Sequence, residues 1–178
     1  MRIEPVRRVL DAIAVPYALI GAHAMAARGY PRFTVDVDLL TTDARVLNET
    51  TWVSLERAGG RVDRRRGDDD DPLAGVVHVL LPDDTDIDIV LGRWQWQSDV
   101  IARAESLTVA DGVTIPVPRT GDLILLKLSA GGFLDVRDAA ALLAVGSRDA
   151  VIREVEERIG DVHPDIRGLW RELLAGSA

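Results

Sequence analysis

Residues Gly21–Leu40 read GAHAMAARGYPRFTVDVDLL, a turn of small residues followed by a strand-like run that carries two aspartates. Asp36 and Asp38 are two residues apart, so on a β-strand their side chains would lie on the same face. A carboxylate on a buried sheet face is costly unless a cation compensates its charge. The pair therefore predicts a nearby positive charge, and a divalent metal ion is the simplest source of it.

A later run of the chain repeats this pattern. The segment Asp86–Leu91, DIDIVL, again places two acids in an apolar strand, and Asp88 lies deeper in the apolar run than Asp86. If the two strands are neighbours, the carboxylates of Asp36, Asp38 and Asp88 converge. Three carboxylates suit Mg²⁺, which prefers oxygen ligands and completes its shell with substrate phosphates. The alternative is that the acids end their strands at the solvent edge, and for Asp86 the two interpretations are equally good.

The turn at Gly21 predicts the other half of a phosphate site. Tyr17–Ile20 is a short apolar strand, and residues 22–28 have the composition of a helix that ends at Gly29. A strand that ends at Gly21 and leads directly into a helix points backbone N–H groups towards a ligand above the strand. With the acidic pair downstream, the arrangement could hold a triphosphate between amides and metal.

Composition limits the classes of protein that the chain can be. With 178 residues and 47% hydrophobic content it can bury a full core in one domain. The first residues lack the apolar stretch of a signal peptide, and no hydrophobic run reaches membrane-spanning length, so we expect a cytoplasmic protein. The absence of cysteine excludes thiolate zinc sites, disulfides and cysteine nucleophiles. A net charge of -8 disfavours non-specific nucleic-acid binding.

Helices and strands alternate in the first half of the chain, and helices dominate the second half. We expect one helix from Asp43 to Ala58, a mobile hairpin tip at Arg64–Asp71 and a hairpin turn at Asp111-Gly112. The later helices are predicted over 120–130, 136–145, 149–159 and about 166–174. This order predicts an α/β fold of the α+β kind, with a mixed β-sheet flanked by helices and a C-terminal helical region.

The run LIGAHAMAARGYPRFTVDVDLL resembles the nucleotidyltransferase signature of the polymerase-β-like superfamily, with a third acid on a later strand. It is most similar to the AbiEii-type toxin nucleotidyltransferases, which carry a later helix of the form Leu-x-x-x-Lys-x-x-Ala before an Asp-rich helix start. Here that segment is LILLKLSAGGFLDVRDAAALL, and the likeness covers roughly residues 17–143. It implies a nucleotidyltransferase core in residues 1–118 and a helical region in residues 119–178, packed as a single compact unit.

The resemblance assigns further residues to the site. Gly21 and Ala22 form the phosphate-binding turn, although many family members have Gly-Gly or Gly-Ser there, so a serine hydroxyl is missing. Arg32 and Thr34 match the Arg-x-Thr lead into the acidic strand; Arg32 would reach phosphate or pair with a catalytic carboxylate, and a structural salt bridge is nearly as good an interpretation. Lys127, the only lysine beside 20 arginines, would contact the nucleotide's phosphates. The acids that follow it, Asp135 and Asp138, match the family's acidic positions or simply favour a helix N-terminus.

The implied activity is Mg²⁺-dependent transfer of a nucleoside monophosphate from an NTP to an acceptor hydroxyl, with Mn²⁺ as an alternative ion. Asp36, Asp38 and Asp88 would hold the metal, and Asp88 could accept the hydroxyl proton. The acceptor would be a tRNA or other RNA end, or a partner protein, and the chain would be the toxin-like member of a toxin–antitoxin pair.

Two other classes stay open. One is a non-catalytic nucleotidyltransferase-like module that binds a partner or senses nucleotide, and the other is a metal-dependent nuclease. The one basic patch for RNA is Arg61 with residues 64–66. His78 and His163 form no pair at metal-ligand spacing.

Overall fold

A five-stranded mixed sheet forms the centre of the molecule, in the computed structural model of residues 2–109 and 112–176. Its strand order is β1-β2-β5-β4-β3; β2 and β5 are parallel, and the other neighbours are antiparallel. A separate hairpin pairs β6 with β7. The strands are β1 Ala18–Ile20, β2 Val37–Thr41, β3 Arg61–Arg66, β4 Leu73–Leu80, β5 Asp86–Gly92, β6 Glu105–Thr108 and β7 Thr114–Val117.

Eight α-helices and a short 3₁₀ turn, Ala44–Leu47, surround these strands in the described residues. The helices are α1 Glu4–Ala12, α2 Gly21–Ala27, α3 Glu49–Arg57, α4 Gln95–Ala102, α5 Thr120–Ala130, α6 Phe133–Leu143, α7 Arg148–Glu156 and α8 Pro164–Gly176. The predicted α/β fold, a mixed sheet with flanking helices and a helical C-terminal region, is confirmed.

The two faces of the sheet differ because side chains alternate along each strand. One face carries fully buried aliphatic residues, among them Leu39, Ile87, Ile89, Val77 and Val79. The opposite face carries Asp38, Asp86, Asp88 and His78 between apolar residues, and it is partly open to solvent. The acids of the two predicted strands therefore lie on the open face, and the other face is part of the core.

Helix α5 connects the C-terminal helices to the rest of the molecule. It packs against α6, α7 and α8 and contacts α2, the helix that follows β1. Its residues Leu123, Ile124 and Leu125 are fully or almost fully buried. Because α2 begins at Gly21, this contact places Lys127 of α5 on the side of the sheet where the Gly21 turn lies.

Three predicted elements differ from the structure. The segment from Asp43 to Ala58 is a 3₁₀ turn followed by α3, because the Asp43 carboxylate accepts the N–H of Arg45 and caps the turn rather than a continuous helix. The arginines placed in a hairpin tip form the edge strand β3, and the tip is shorter, at residues 67–72. The acidic strand begins at Val37, which leaves Asp36 outside it.

Asp111 of the predicted hairpin turn lies outside the described residues. Across the helices that are described, none combines the length and the hydropathy needed to cross a bilayer.

Candidate active site on the open face of the sheet

Polar side chains form a row across the open face of the sheet. Asp38 on β2 is paired with Asp88 on the parallel strand β5, and Asp88 is paired with His78 on β4. His78 is in turn opposite Asp63 on β3. Because paired residues project to the same face, each of the four side chains neighbours the next along the row. The convergence predicted for Asp38 and Asp88 is therefore present in the backbone register.

Gly21 lies directly against the Asp38 carboxylate. Its φ is +65°, a left-handed conformation that favours glycine, and a Cβ at this position would overlap the carboxylate of Asp38. The adjacent Ala22 is buried at the start of α2. The small-residue turn thus allows the acidic strand to approach β1 and α2 closely.

The position of Asp38 makes its charge unfavourable. The pKa of Asp38 is raised to about 6, first by burial and then by the negative charges of Asp88 and Asp36, while Lys127 and Arg32 act in the opposite direction. A carboxyl group in this state is stabilised as an anion by any cation that binds beside it. The environment of Asp38 therefore fits a metal ligand.

Asp36 has a different environment. It precedes β2, its side chain is exposed, and its backbone N–H donates to Thr34 Oγ1 at 3.2 Å. The same hydroxyl lies 3.2 Å from the Asp36 carbonyl oxygen, so Thr34 is engaged in a local turn. A shared strand face for residues 32, 34, 36 and 38 is not formed, because the strand starts only at Val37.

Lys127 and Arg32 are held by acids of α6. The Lys127 ammonium is 2.7 Å from Asp135 Oδ1 and 3.2 Å from Asp138 Oδ2, and Arg32 Nη1 donates to Asp138 Oδ2 at 2.6 Å. Asp138 is almost completely buried. The network joins the loop before β2 to α5 and α6, so it supports the salt-bridge interpretation of Arg32 and places both cations near Asp38.

His78 is a site residue that the sequence did not reveal. Its Nδ1 lies 2.9 Å from Asp88 Oδ1 and 3.2 Å from Asp86 Oδ1. The hydrogen bond to Asp88 raises the pKa of His78, and the charges of Asp86 and Asp63 act in the same direction. These contacts come from register across two strands, which spacing along the chain does not show.

Within the described ranges, His78, Asp86 and Asp88 form the group of potential ligands whose atoms all lie within 4.8 Å of one another. Asp36 and Asp38 are outside this group. Asp88, the predicted third ligand, belongs to this group, and so does Asp86, for which the sequence left two interpretations open.

A cleft of about 450 Å³ extends from this row over β4 and β3. Its lining includes Asp88, His78 and Asp63 together with Arg65 and Arg66. Both signs of charge therefore line a space large enough for a substrate group beside the acids.

Comparison with family models finds no match for the sequence, and comparison with curated proteins also finds none. Solved structures do match. The solution structure of the antibiotic-resistance factor ANT(2'')-Ia has a TM-score of 0.55 and 17% identity, over 98% of this chain and 91% of that one. A crystal structure of ANT(2'')-Ia with adenylyl-2''-tobramycin has a TM-score of 0.54 and 16% identity, over 87% of this chain and 93% of that one.

A Thermotoga maritima protein proposed to be a nucleotidyltransferase matches with a TM-score of 0.50 and 15% identity, over 72% of this chain and 84% of that one. At these identities the likeness concerns the fold.

Proposed function

We propose that this protein is a metal-dependent nucleotidyltransferase, which moves a nucleoside monophosphate from an NTP to an acceptor hydroxyl. The observation that carries the proposal is the pairing of Asp38 with Asp88 across parallel strands, with the Asp38 carboxylate packed on the Gly21 turn. The shared fold with ANT(2'')-Ia, a protein crystallised with an adenylylated antibiotic, supports the same reaction class.

The donor set fits a hard divalent cation. Asp38 and Asp88 offer carboxylate oxygens on one face, and Asp36 stands two residues before Asp38 at the entrance to the strand. The raised pKa of Asp38, caused first by burial and then by Asp88, indicates that the protein alone does not neutralise this charge. When bound, Mg²⁺ or Mn²⁺ would supply a Lewis acid for the phosphates and for the hydroxyl.

The protein's own residues have the following roles in this proposal. Asp36, Asp38 and Asp88 would hold the metal. Asp88 would also accept the proton of the acceptor hydroxyl as that oxygen attacks the α-phosphorus and pyrophosphate leaves. The backbone at Gly21 and Ala22 borders the triphosphate. Lys127 supplies positive charge beside it, with its ammonium positioned by the acids of α6.

The acceptor is proposed from the motif resemblance and from the ligand of one structural neighbour. The AbiEii-type motif favours an RNA end or a partner protein and a role as the toxin of a toxin–antitoxin pair, with an antitoxin as a further partner. The adenylylated tobramycin in the ANT(2'')-Ia crystal structure adds a third acceptor class, a hydroxyl-bearing antibiotic. The cleft beside Asp88 is the space into which any of these acceptors would present its hydroxyl.

The test is a transfer assay with the full chain. Each α-³²P-labelled NTP is incubated with Mg²⁺ or Mn²⁺ and with total tRNA, a lysate protein fraction or an aminoglycoside panel. We expect label in one acceptor class, and loss of at least about 100-fold in Asp38→Asn and Asp88→Asn, because each removes a carboxylate ligand. Asp84→Asn makes the same charge change on an exposed loop and serves as the matched control.

Other results of the same assay would indicate one of the two alternative functions. Nucleotide binding without transfer to any acceptor would indicate a sensing or partner-binding module. Shortened RNA without label would indicate a nuclease. Equal activity of Asp38→Asn and the Asp84→Asn control would overturn the proposed site.

A further inference from the structure

The cluster of His78, Asp86 and Asp88 lies on the open face, one strand away from Asp38. We propose that it binds a first-row transition-metal dication through His78 Nδ1 and one oxygen of each carboxylate. This site shares Asp88 with the proposed magnesium site but differs from it in containing an imidazole and Asp86, and metal binding to it can be measured without nucleotidyl transfer.

The three ligands are placed by regular sheet pairing. Asp88 and His78 are direct partners in the antiparallel pairing of β5 with β4, and Asp86 precedes Asp88 by two residues on the same face. Both strands are internal to the sheet, with neighbours on each side. The ligand backbone is therefore fixed before any ion binds, which reduces the entropy lost on binding.

The distances allow one ion to be shared by the three side chains. A single ring nitrogen carries at most one proton, yet Nδ1 lies 2.9 Å from Asp88 and 3.2 Å from Asp86. Ligand atoms bonded at about 2.1 Å to one ion lie about 3.0–3.4 Å from one another. A metal ion in place of the proton would satisfy the nitrogen and both carboxylates at once.

The surroundings leave space for the remaining coordination positions. His78 and Asp88 line the cleft of about 450 Å³, and the side chains of all three ligands are between 37% and 46% exposed. Asp63, opposite His78 on β3, adds negative charge that its ion pair with Arg65 at 3.1 Å offsets only in part. Water or an acceptor oxygen could therefore complete the shell from the cleft.

The donor set selects the class of metal. Imidazole nitrogen suits Co²⁺, Ni²⁺ and Zn²⁺, whereas Mg²⁺ is bound by oxygen ligands and dehydrates reluctantly. The cluster should therefore bind these ions in preference to Mg²⁺, although Asp88 also belongs to the carboxylate pair that we propose for Mg²⁺.

Co²⁺ is the probe, because its visible d–d absorption spectrum depends on the nitrogen and oxygen ligands that bind it. The EDTA-treated full chain is titrated with Co²⁺ at pH 8 and followed by visible absorption and calorimetry. We expect one tight equivalent that excess Zn²⁺ displaces and a tenfold excess of Mg²⁺ does not. His78→Gln and Asp86→Asn should each weaken binding by at least about tenfold, since each removes a ligand.

The chain offers a matched control. His163 Nδ1 lies 3.2 Å from Asp165 Oδ2, an exposed pair with one carboxylate fewer, so His163→Gln should leave the Co²⁺ affinity unchanged. Asp38→Asn should also retain Co²⁺ while it loses nucleotidyl transfer, which separates this site from the proposed function.

Any of three results would overturn the site: undiminished binding in His78→Gln, loss of binding in His163→Gln, or displacement of Co²⁺ by a tenfold excess of Mg²⁺. Thermal melting followed by circular dichroism checks that each variant is folded. If His78→Gln does not fold, Asp86→Asn tests the same site while His78 is unchanged.

Discussion

Asp38 is the residue at which stability and the proposed chemistry oppose each other. Its pKa is raised to about 6 because burial and Asp88 disfavour the anion, whereas an unfolded aspartate titrates near 3.8. The folded state therefore binds the proton more tightly, and stability from this group is lost as the pH rises through the interval between the two values. Above pH 6 the difference corresponds to about 3 kcal/mol.

Removing this charge should stabilise the metal-free protein. We expect Asp38→Asn to raise the melting temperature by several degrees at pH 8 in EDTA and by much less at pH 4, where wild-type Asp38 is protonated when folded. Differential scanning calorimetry at both pH values measures the effect, with Asp84→Asn as the exposed control. A shift of equal size at both pH values would show that the charge of Asp38 is not its cause.

Gly21 can be tested against a glycine of the same conformation in open space. Gly21 and Gly146 have φ values of +65° and +71°, but a Cβ on Gly146 meets no atom within 4 Å. Alanine at either position incurs left-handed strain of about 1–2 kcal/mol. Only Gly21→Ala also displaces the Asp38 carboxylate, so we expect a larger loss of stability and, in the transfer assay, a loss of activity that Gly146→Ala does not share.

Equal stability losses in the two alanine variants would contradict this contact. The comparison holds the backbone effect constant, because both glycines occupy the same region of φ. What differs between them is the neighbouring carboxylate, and urea unfolding of the two variants measures that difference.

At the scale of elements, the sequence predicted those strands whose side chains alternate between a buried and an open face. Asp86–Gly92 agrees closely with its predicted strand because the apolar residues of its core face are regular. The charged edge strand Arg61–Arg66 was missed, since both of its faces are largely exposed and its pairing with β4 defines it. Spacing along one strand carries no information about such pairing.

The same limit applies to the candidate site. Asp38 and Asp88 attracted attention because acids within apolar strands are unusual, and Gly21 because a glycine between a short strand and a helix indicates a turn. His78 was not, since its contacts with Asp86 and Asp88 depend on the register between β4 and β5. The start of β2 was also set by pairing: β1 covers Asp38–Leu40, and Asp36 lies beyond this register.

A buried ion pair links α4 to α5 and so positions the helix that carries Lys127. Arg103 donates to both oxygens of Asp122, at 2.6 Å and 2.9 Å, and the Asp122 side chain is only 4% exposed. Asp122→Ala leaves the arginine without its partner, so we expect a loss of about 3 kcal/mol, or roughly 6–12 °C in melting temperature.

The Arg2–Asp83 pair is the control for this prediction. Its distance is also short, at 2.9 Å, but the arginine side chain is 78% exposed. Surface pairs contribute little to stability, so Asp83→Ala should scarcely change thermal unfolding. Similar effects of Asp122→Ala and Asp83→Ala would show that α4 and α5 are not held together by the buried pair.

For the molecule as a whole, ten arginines of the described residues pair with acids, so much of the positive charge does not form a free basic surface. In the suggested RNA patch, Arg64 lies 3.4 Å from Glu56 and Arg65 lies 3.1 Å from Asp63. With a net charge of -8, attraction for a polyanion would have to be local. Transfer to RNA, if it is the activity, should therefore depend less steeply on added salt than it does for a protein with an extended basic face.

The core and the helical region should fold only together. The apolar side of α5, with Leu123, Ile124 and Leu125, is buried and α5 also contacts α2. A fragment of residues 1–118 would lose this cover. We expect the full chain to unfold in one calorimetric transition and the fragment to lack cooperative unfolding, because its remaining apolar surface is exposed.

Co-expression provides the decisive comparison. If the two parts form one unit, a 119–178 fragment made in the same cell should restore a soluble, cooperatively melting complex with the 1–118 fragment. Independent cooperative unfolding of residues 1–118, or two separate transitions in the full chain, would contradict the single unit. In that case the position of Lys127 would depend on docking between two domains, and its ion pairs with Asp135 and Asp138 would be internal to the second domain.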